Sequence, residues 1–291
     1  MQWISDSNIL IVGLGLMGGS YARALKRLGF RVTAVSRSQS SIDYALAEEI
    51  IDAGAATPDP ALIGSADAVI LCLYPGVLLD WLEENQRFLK PGALLTDVTG
   101  VKSCVVYDIQ DLLRPDLEFI ASHPMAGREV SGVANSDASI FQGANFLITP
   151  TERNSDAAID WCEGLGRLLG CRQISVVTPE EHDEMIGFVS QLTHCIAVAL
   201  MTCKNDPMLS RFTGDSFRDL TRIAHINDEM WSELLLRNKS ALLREMDAFA
   251  AEFQALRDLI SAEDREGIRG KMRTSTTRRD RFNLPNNGTE D

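Results

Sequence analysis

A glycine-rich turn near the N-terminus constrains the fold more than any other feature of this sequence. An apolar run at residues 8–12 leads into GLGLMG at residues 13–18, and a helical pattern comes directly after it. The G-x-G-x-x-G spacing allows a tight turn, a close approach to a pyrophosphate and close packing of helix on strand. The N-terminus of the helix adds free N–H groups and a partial positive charge. The predicted dinucleotide contacts are Gly13, Gly15, Leu16, Met17 and Gly18.

The chain up to residue 177 alternates short apolar runs with amphipathic stretches. We predict strands at residues 8–12, 31–36, 68–73, 93–97, 118–122, 145–149 and 172–177, and helices at 17–28, 39–49, 77–89, 102–113 and 155–169. Strands that alternate with helices indicate βαβ units and a mostly parallel sheet. We therefore expect an α/β fold in which residues 1–177 form a Rossmann-like dinucleotide-binding domain.

The pattern becomes helical after residue 177. The sequence TPEE at 178–181 combines a capping threonine, a proline at the first helical position and a returning glutamate. One long helix is predicted over 180–204, and its segment 195–201 is apolar on every side, so it needs burial at a domain centre or a subunit interface. Further helices are predicted at 215–224, 228–253 and 255–271. Residues 178–273 are thus expected to form a helical substrate and dimerisation domain, with a disordered polar tail after it at 274–291.

Composition excludes several other classes of protein. The net charge of −13 argues against binding to nucleic acid or to an anionic membrane. No apolar run predicts a membrane span, and no leader pattern is seen at the N-terminus, so a cytoplasmic location is expected. The six cysteines form no C-x-x-C pair and the four histidines have no ligand spacing, so we predict neither disulfides nor a metal site.

The end of the second predicted strand indicates which cofactor binds. An acidic residue at this place usually holds the ribose 2′-hydroxyl of NAD. Here the sequence is Ser36, Arg37 and Ser38, in which the guanidinium suits a 2′-phosphate and the hydroxyls can donate to it. NADP is therefore the predicted cofactor. NAD stays open, because Arg37 could instead be a solvated loop residue that contacts no cofactor.

A histidine lies where chemistry is expected in such a sheet. The predicted strand 118–122 ends in HPMAG at residues 123–127. Ligands of open α/β sheets collect at the carboxyl ends of the strands. A neutral imidazole also has the pKa range that suits a general base. His123 is therefore the candidate catalytic residue.

Spaced motifs in both halves resemble the prephenate/arogenate dehydrogenase family. They are GLGLMGGS at 13–20, TDVTGVKS at 96–103, HPMAG at 123–127, EEHDEMIGFVSQLTH at 180–194 and FRDLTRIA at 217–224, with Trp231 nine residues after Arg222. The resemblance implies a nucleotide-binding domain joined to a helical domain that forms a dimer, with no metal. It also implies removal of hydride from a cyclohexadienol ring, with loss of the ring carboxylate as carbon dioxide and deprotonation of the hydroxyl by His123.

The resemblance extends to residues that would bind the substrate. It implies that His194 and Arg222 contact the substrate, with Arg222 binding a carboxylate bidentately. It also brings Asp183 into the site, and for Asp183 the alternative of a carboxylate stabilised at a helix N-terminus stays open. Asp219 lies three residues before Arg222 on the same face of the predicted helix and is a candidate to orient Arg222 or another basic group. For Arg222 and Asp219 alike, the alternative of a surface ion pair stays open.

The sequence departs from the family pattern at three positions. Many members have a serine that contacts the catalytic centre, where this chain has Gly100 preceded by Thr99. Either Thr99 supplies the hydroxyl, at the cofactor side of the site, or the contact is absent. Arg128 comes directly after HPMAG in place of a small polar residue and is a further candidate for the substrate. Gln191 replaces a histidine of some members.

The predicted function is a prephenate dehydrogenase, which converts prephenate to 4-hydroxyphenylpyruvate in tyrosine biosynthesis. An arogenate dehydrogenase, which makes tyrosine directly, is the near alternative. A β-hydroxyacid dehydrogenase would use a helix-borne lysine, for which the sequence shows no equivalent. A non-catalytic NADP-binding regulator would not need His123, His194 and Arg222 together.

Overall fold

The computed structural model describes Trp3 and residues 7–283. The chain divides into two compact units, Met1–Lys239 and Ser240–Asp291. The first unit therefore includes the helical residues from 178 to 239 together with the sheets. The strands are β1 (Asn8–Val12), β2 (Arg31–Val35), β3 (Ala53–Ala55), β4 (Ala68–Leu71), β5 (Leu94–Asp97), β6 (Glu118–Phe119), β7 (Ala121–Pro124), β8 (Asn145–Thr149) and β9 (Gln173–Val176). The helices are α1 (Leu16–Arg27), α2 (Gln39–Ala47), α3 (Pro60–Ser65), α4 (Pro75–Asn85), α5 (Ser103–Leu112), α6 (Asp156–Leu168), α7 (Pro179–Ile186), α8 (Thr193–Thr202), α9 (Asp215–Thr221), α10 (Asp228–Arg237), α11 (Lys239–Ser261) and α12 (Arg265–Asp280).

Two sheets replace the single sheet expected from the sequence. The first has six strands in the order β3-β2-β1-β4-β5-β6, all pairs parallel, which confirms the Rossmann-like prediction. The second has the order β7-β8-β9, with β7 antiparallel to β8. The predicted strand at 118–122 is therefore split, since the chain leaves the first sheet after Phe119. The switch places His123 on β7 of the second sheet.

Apolar layers cover both faces of the parallel sheet. Along β1, Ile9 and Ile11 belong to one apolar cluster, while Leu10 and Val12 belong to another. Successive side chains of a strand point to opposite faces, so every residue of β1 is buried. Because both faces are covered, a ligand can reach the sheet at its carboxyl edge, where the loops after β1, β4 and β5 lie.

The long helix predicted after Thr178 begins as expected but changes its winding. The Thr178 hydroxyl accepts a hydrogen bond from Glu181 N, and the Glu181 carboxylate accepts one from Thr178 N, which confirms the capping box. The segment Gly187–Leu192 between α7 and α8 is π-helical. A π-turn holds one residue more than an α-turn and so rotates the next helical segment by roughly 100°. Asp183 and His194 therefore do not share one helix face, although their spacing of eleven residues, about three turns, would place them on one face of a regular α-helix.

The apolar segment at 195–201 is not enclosed by its own chain. Within α8, Ala197 is the buried residue, and Met201 is exposed. Three apolar side chains before it, Met185, Phe188 and Val189, are each more than half exposed. By length and apolar character alone, the helix Pro179–Thr202 could span a membrane, although core helices of globular proteins meet the same two criteria. Of its most apolar 18 residues, 28% are buried.

The second unit holds α11 and α12. Asp264 caps α12 by accepting a hydrogen bond from Gly267 N, and Lys271 of α12 forms an ion pair with Glu252 of α11. The predicted disordered tail from residue 274 is wrong for residues 274–280, because α12 continues to Asp280 with threonine hydroxyls bonded to carbonyls one turn earlier. Residues 284–291 of that predicted tail lie outside the described residues.

The packing of α1 against the glycine turn generates a prediction. A Cβ on Gly18 would lie 1.9 Å from the carbonyl oxygen of Gly13, whereas a Cβ on Gly15 would have no neighbour within 4 Å. We expect Gly18→Ala to lower the free energy of unfolding by about 1–3 kcal/mol, because the overlap outweighs the helix-propensity gain of about 0.5–1 kcal/mol. Gly15→Ala is the matched control and should stay near wild type. Denaturant unfolding measures both, and an equally stable Gly18→Ala protein would contradict this packing.

Candidate active site

The glycine turn has the shape of a phosphate cradle. Gly13 has φ +96°, and a Cβ there would lie 2.4 Å from the carbonyl oxygen of Cys72 at the end of β4. Gly15 is exposed and precedes α1, and no side chain caps this helix. The first-turn N–H groups of α1 are thus left for an anion. Leu16 and Met17 form the first turn itself, so all five predicted loop residues lie in the cradle.

The three residues at the end of β2 differ in what they can offer a cofactor. Arg37 and Ser38 are exposed, and no carboxylate within the described residues forms an ion pair with Arg37. The Ser38 hydroxyl caps α2 by accepting from Ser41 N at 3.2 Å. The backbone N–H of Ser36 donates to Ala55 O at 3.1 Å. Arg37 is therefore the group most free to meet a 2′-phosphate.

His123 is the first member of a chain of hydrogen bonds. Its Nδ1 lies 2.9 Å from Nε2 of His182, and Nδ1 of His182 lies 2.8 Å from Oδ1 of Asp183. His123 is half-buried on β7, while His182 is fully buried on α7. Burial lowers the pKa of His123 well below its ordinary value, and the neighbouring His182 and Lys102 lower it further. His123 is therefore held neutral, as a base must be.

Asp183 faces the interior, where its carboxylate meets backbone N–H groups. Its Oδ1 accepts from Lys102 N and its Oδ2 from Ser103 N, both at 2.8 Å, so the carboxylate caps α5. Burial alone would raise the pKa of Asp183, but the bonds from His182 and Ser103 hold it below its ordinary value. With only 5% of the residue exposed, the predicted substrate contact is not supported. The alternative of a helix-capping carboxylate applies, although the helix is α5 rather than its own.

A fully buried lysine lies beneath the two histidines. Lys102 Nζ donates to Asp97 Oδ2 at 2.6 Å and to Ser122 O at 2.7 Å. Burial lowers the pKa of Lys102, and Asp97 opposes that shift. The Thr99 hydroxyl lies against the Asp97 carboxylate and 2.8 Å from Val101 O. Thr99 is only 4% exposed, so its predicted role in replacing the family serine or contacting the cofactor is not supported.

Gly100 lies directly beside the ring of His123. A Cβ on Gly100 would be 3.9 Å from His123 Cε1 and 3.6 Å from Cδ1 of Leu234. The position where many family members have serine therefore faces His123. This chain offers no hydroxyl there.

A second cluster surrounds the predicted substrate residues His194 and Arg222. The His194 ring stacks on Trp231 of α10 at 3.7 Å between ring centroids, and its Nδ1 lies 2.8 Å from Ser190 O. Arg222 forms an ion pair with Glu129. Partial burial would raise the pKa of Glu129, but hydrogen bonding, including that from Arg222, lowers it. Glu129 and Arg222 both act electrostatically on His194, so the three groups lie together.

For two further candidates the structure shows no bond to His194, Arg222 or Glu129 among the described residues. Arg128 is exposed and donates to Asn135 O at 2.6 Å, and Asp219 is exposed on α9 without a bond to Arg222. Sequence reasoning missed His182, Lys102 and Glu129. The first two stood inside matched motifs without an assigned role, and no sequence signal pointed to Glu129.

Comparisons with known proteins cover nearly the whole chain. Residues 21–175 match the family model "Prephenate dehydrogenase, nucleotide-binding domain", and residues 178–274 match "Prephenate dehydrogenase, dimerization domain". A prephenate dehydrogenase of Bacillus subtilis is 30% identical over 99% of this chain and 79% of its own.

Solved structures agree with these matches. A prephenate dehydrogenase from A. aeolicus in complex with hydroxyphenyl propionate and NAD+ superposes with a TM-score of 0.88 at 30% identity, covering 97% of this chain and 100% of that one. Synechocystis arogenate dehydrogenase gives 0.80 at 27% identity, covering 94% and 99%. The chain belongs to the prephenate dehydrogenase family.

Proposed function

We propose that this protein oxidises and decarboxylates prephenate to 4-hydroxyphenylpyruvate, with hydride transfer to NADP. The observation that carries the proposal is His123, held neutral and half-exposed beside Gly100 in a chain that matches the family in both halves. The glycine cradle fits the pyrophosphate of a dinucleotide. When bound, the nicotinamide supplies the hydride acceptor.

The residues of the chain would divide the remaining work between them. His123 takes the proton of the ring hydroxyl as the hydride leaves the same carbon, which prevents positive charge from building up on the ring oxygen. The ring carboxylate leaves as carbon dioxide, and the resulting aromatic ring drives the step. Arg222 binds the side-chain carboxylate of the substrate bidentately while it also pairs with Glu129. His194, stacked on Trp231, lines the same region.

The function is tested by assaying both candidate substrates with the wild type and with His123→Asn. We expect kcat/KM to favour prephenate over arogenate, and His123→Asn to lower kcat by at least about 10²-fold with cofactor binding unchanged. Arg222→Ala should raise KM for the substrate. A tenfold preference for arogenate would reverse the substrate assignment, and a kcat retained within a few-fold in His123→Asn would remove His123 as the base.

The same assay has a predictable pH dependence. Only the neutral imidazole accepts a proton, so kcat/KM should fall as the pH drops through the pKa of His123. Because burial depresses that pKa, this loss should occur below pH about 6.5.

NADP is proposed over NAD on the exposed Arg37 at the end of β2. Arg37→Ala should weaken NADP binding by about 1.5–3 kcal/mol and leave NAD binding little changed, because a charged hydrogen bond to the 2′-phosphate is lost. The matched control is Arg31→Ala, which removes an exposed arginine at the other end of β2. Equal kcat/KM for the two cofactors in the wild type would contradict the preference, and NAD would then be the working cofactor, as bound in the A. aeolicus relative.

We also propose that residues 178–273 act as a substrate and dimerisation domain, and that two copies cover the apolar face formed by Met185, Phe188, Val189 and Met201. Exposed apolar clusters of this kind mark interaction surfaces. Sedimentation at micromolar concentration should show a dimer, and Met185→Glu should shift it towards monomer. Leu46→Glu places the same charge on an exposed apolar position of α2 and should not. A wild-type monomer would refute the proposal.

A further inference from the structure

The buried histidine behind His123 has no role in the reaction proposed above. His182 is completely enclosed, and its two ring nitrogens are both engaged, Nε2 with His123 and Nδ1 with Asp183. A buried imidazole needs a hydrogen-bond partner for each ring nitrogen, and here one of those partners is His123 itself. The charged and titratable groups around it are Lys102, Asp183, Asp97 and His123.

Donors and acceptors along this chain can be assigned from its fixed end. The Asp183 carboxylate accepts from two backbone N–H groups, and the pKa of Asp183 lies below its ordinary value, so it is ionised and can only accept. Nδ1 of His182 must therefore carry the proton. Burial lowers the pKa of His182, and although the bond to Asp183 opposes this, Lys102 adds to it, so the pKa stays below its ordinary value. The ring is therefore neutral and its Nε2 is an acceptor.

The same reasoning fixes the proton of His123. Because His182 Nε2 accepts, His123 Nδ1 must donate, and the neutral ring then has a bare lone pair at Nε2. Within the described residues, His182 is the hydrogen-bond partner recorded for His123. Gly100 offers no hydroxyl, and the hydroxyl of Thr99 is engaged with Asp97 and Val101. The orientation of His123 thus depends on this one bond.

We propose that His182, anchored by Asp183, is a positioning residue that locks His123 in the tautomer with a proton on Nδ1 and a free lone pair on Nε2. The inference rests on the proposed function, in which His123 is the base. In the reaction, the hydroxyl proton of the substrate would pass to Nε2 while the proton on Nδ1 stays in its bond to His182. The opposite tautomer would present an N–H to the hydroxyl and could not accept its proton.

Two substitutions at residue 182 separate the two bonds of this histidine. Asn places an amide near the position of Nδ1, so His182→Asn can keep the bond to Asp183 and loses the one to His123. Gln reaches the position of Nε2, so His182→Gln can accept from His123 and loses the bond to Asp183. The pair is matched in polarity, and thermal unfolding and NADP binding report on folding and on the cofactor site.

We expect His182→Asn to lower kcat by about 10²-fold or more, the range for loss of positioned proton transfer. His182→Gln should retain at least about tenfold more activity than His182→Asn, with KM for the substrate within a few-fold of wild type in both. Equal losses in the two variants would show that His182 serves packing alone. A wild-type kcat in His182→Asn would overturn the proposal outright.

A direct reading of the tautomer needs no variant and no turnover. In the NADP complex labelled with 15N-histidine, His123 should show a protonated Nδ1 and an unprotonated Nε2 at neutral pH. A proton on Nε2 would overturn the proposal. The spectrum also tests the tautomer independently of the proposed function. If His123→Asn proved active, His123 would not be the base, but the tautomer of the wild-type ring could still be read.

Discussion

The carboxylate of Asp183 connects the N-terminus of α5 to His182 and, through His182, to His123. One oxygen accepts from Lys102 N and His182, and the other accepts from Ser103 N, so a side chain of α7 caps α5. An ionised acceptor at a helix N-terminus is favoured both by its hydrogen bonds and by the helix dipole. The two hydrogen bonds from α5 to Asp183 join residues 21–175, which match the nucleotide-binding family model, to residues 178–274, which match the dimerisation family model. The placement of His182 against His123 depends on this carboxylate.

A buried ion pair between Lys102 and Asp97 supports the same region. Asp97 at the end of β5 pairs with Lys102, and its other oxygen accepts from Ser122 N on β7 at 3.1 Å. Removing both charges from water is costly, so the pair is not an efficient source of stability. It does connect β5 to β7, where the chain passes from one sheet to the other. His123 is the next residue after Ser122, so its backbone position is tied to this pair.

The sequence predicts features that depend on local pattern and misses those that depend on tertiary contact. The glycine turn, the parallel sheet and the cap at Thr178 can be inferred from spacing and residue type, and all are present. The position of His182 beside His123 could not be predicted from a single sequence, since the two residues are 59 positions apart and are brought together only by the fold. The engagement of the Thr99 hydroxyl and the ion pair of Glu129 with Arg222 were hidden for the same reason.

The π-helical segment Gly187–Leu192 sets the rotation of α8 relative to α7 about their common axis. The first half must aim Asp183 at α5, and the second must aim His194 at Trp231. A regular α-helix of the same length could meet one requirement but would miss the other by roughly 100°. The number of residues in this segment is therefore as constrained as their chemistry. Loss of one residue would turn His194 away from its stacking partner, and no side-chain substitution elsewhere could restore the alignment.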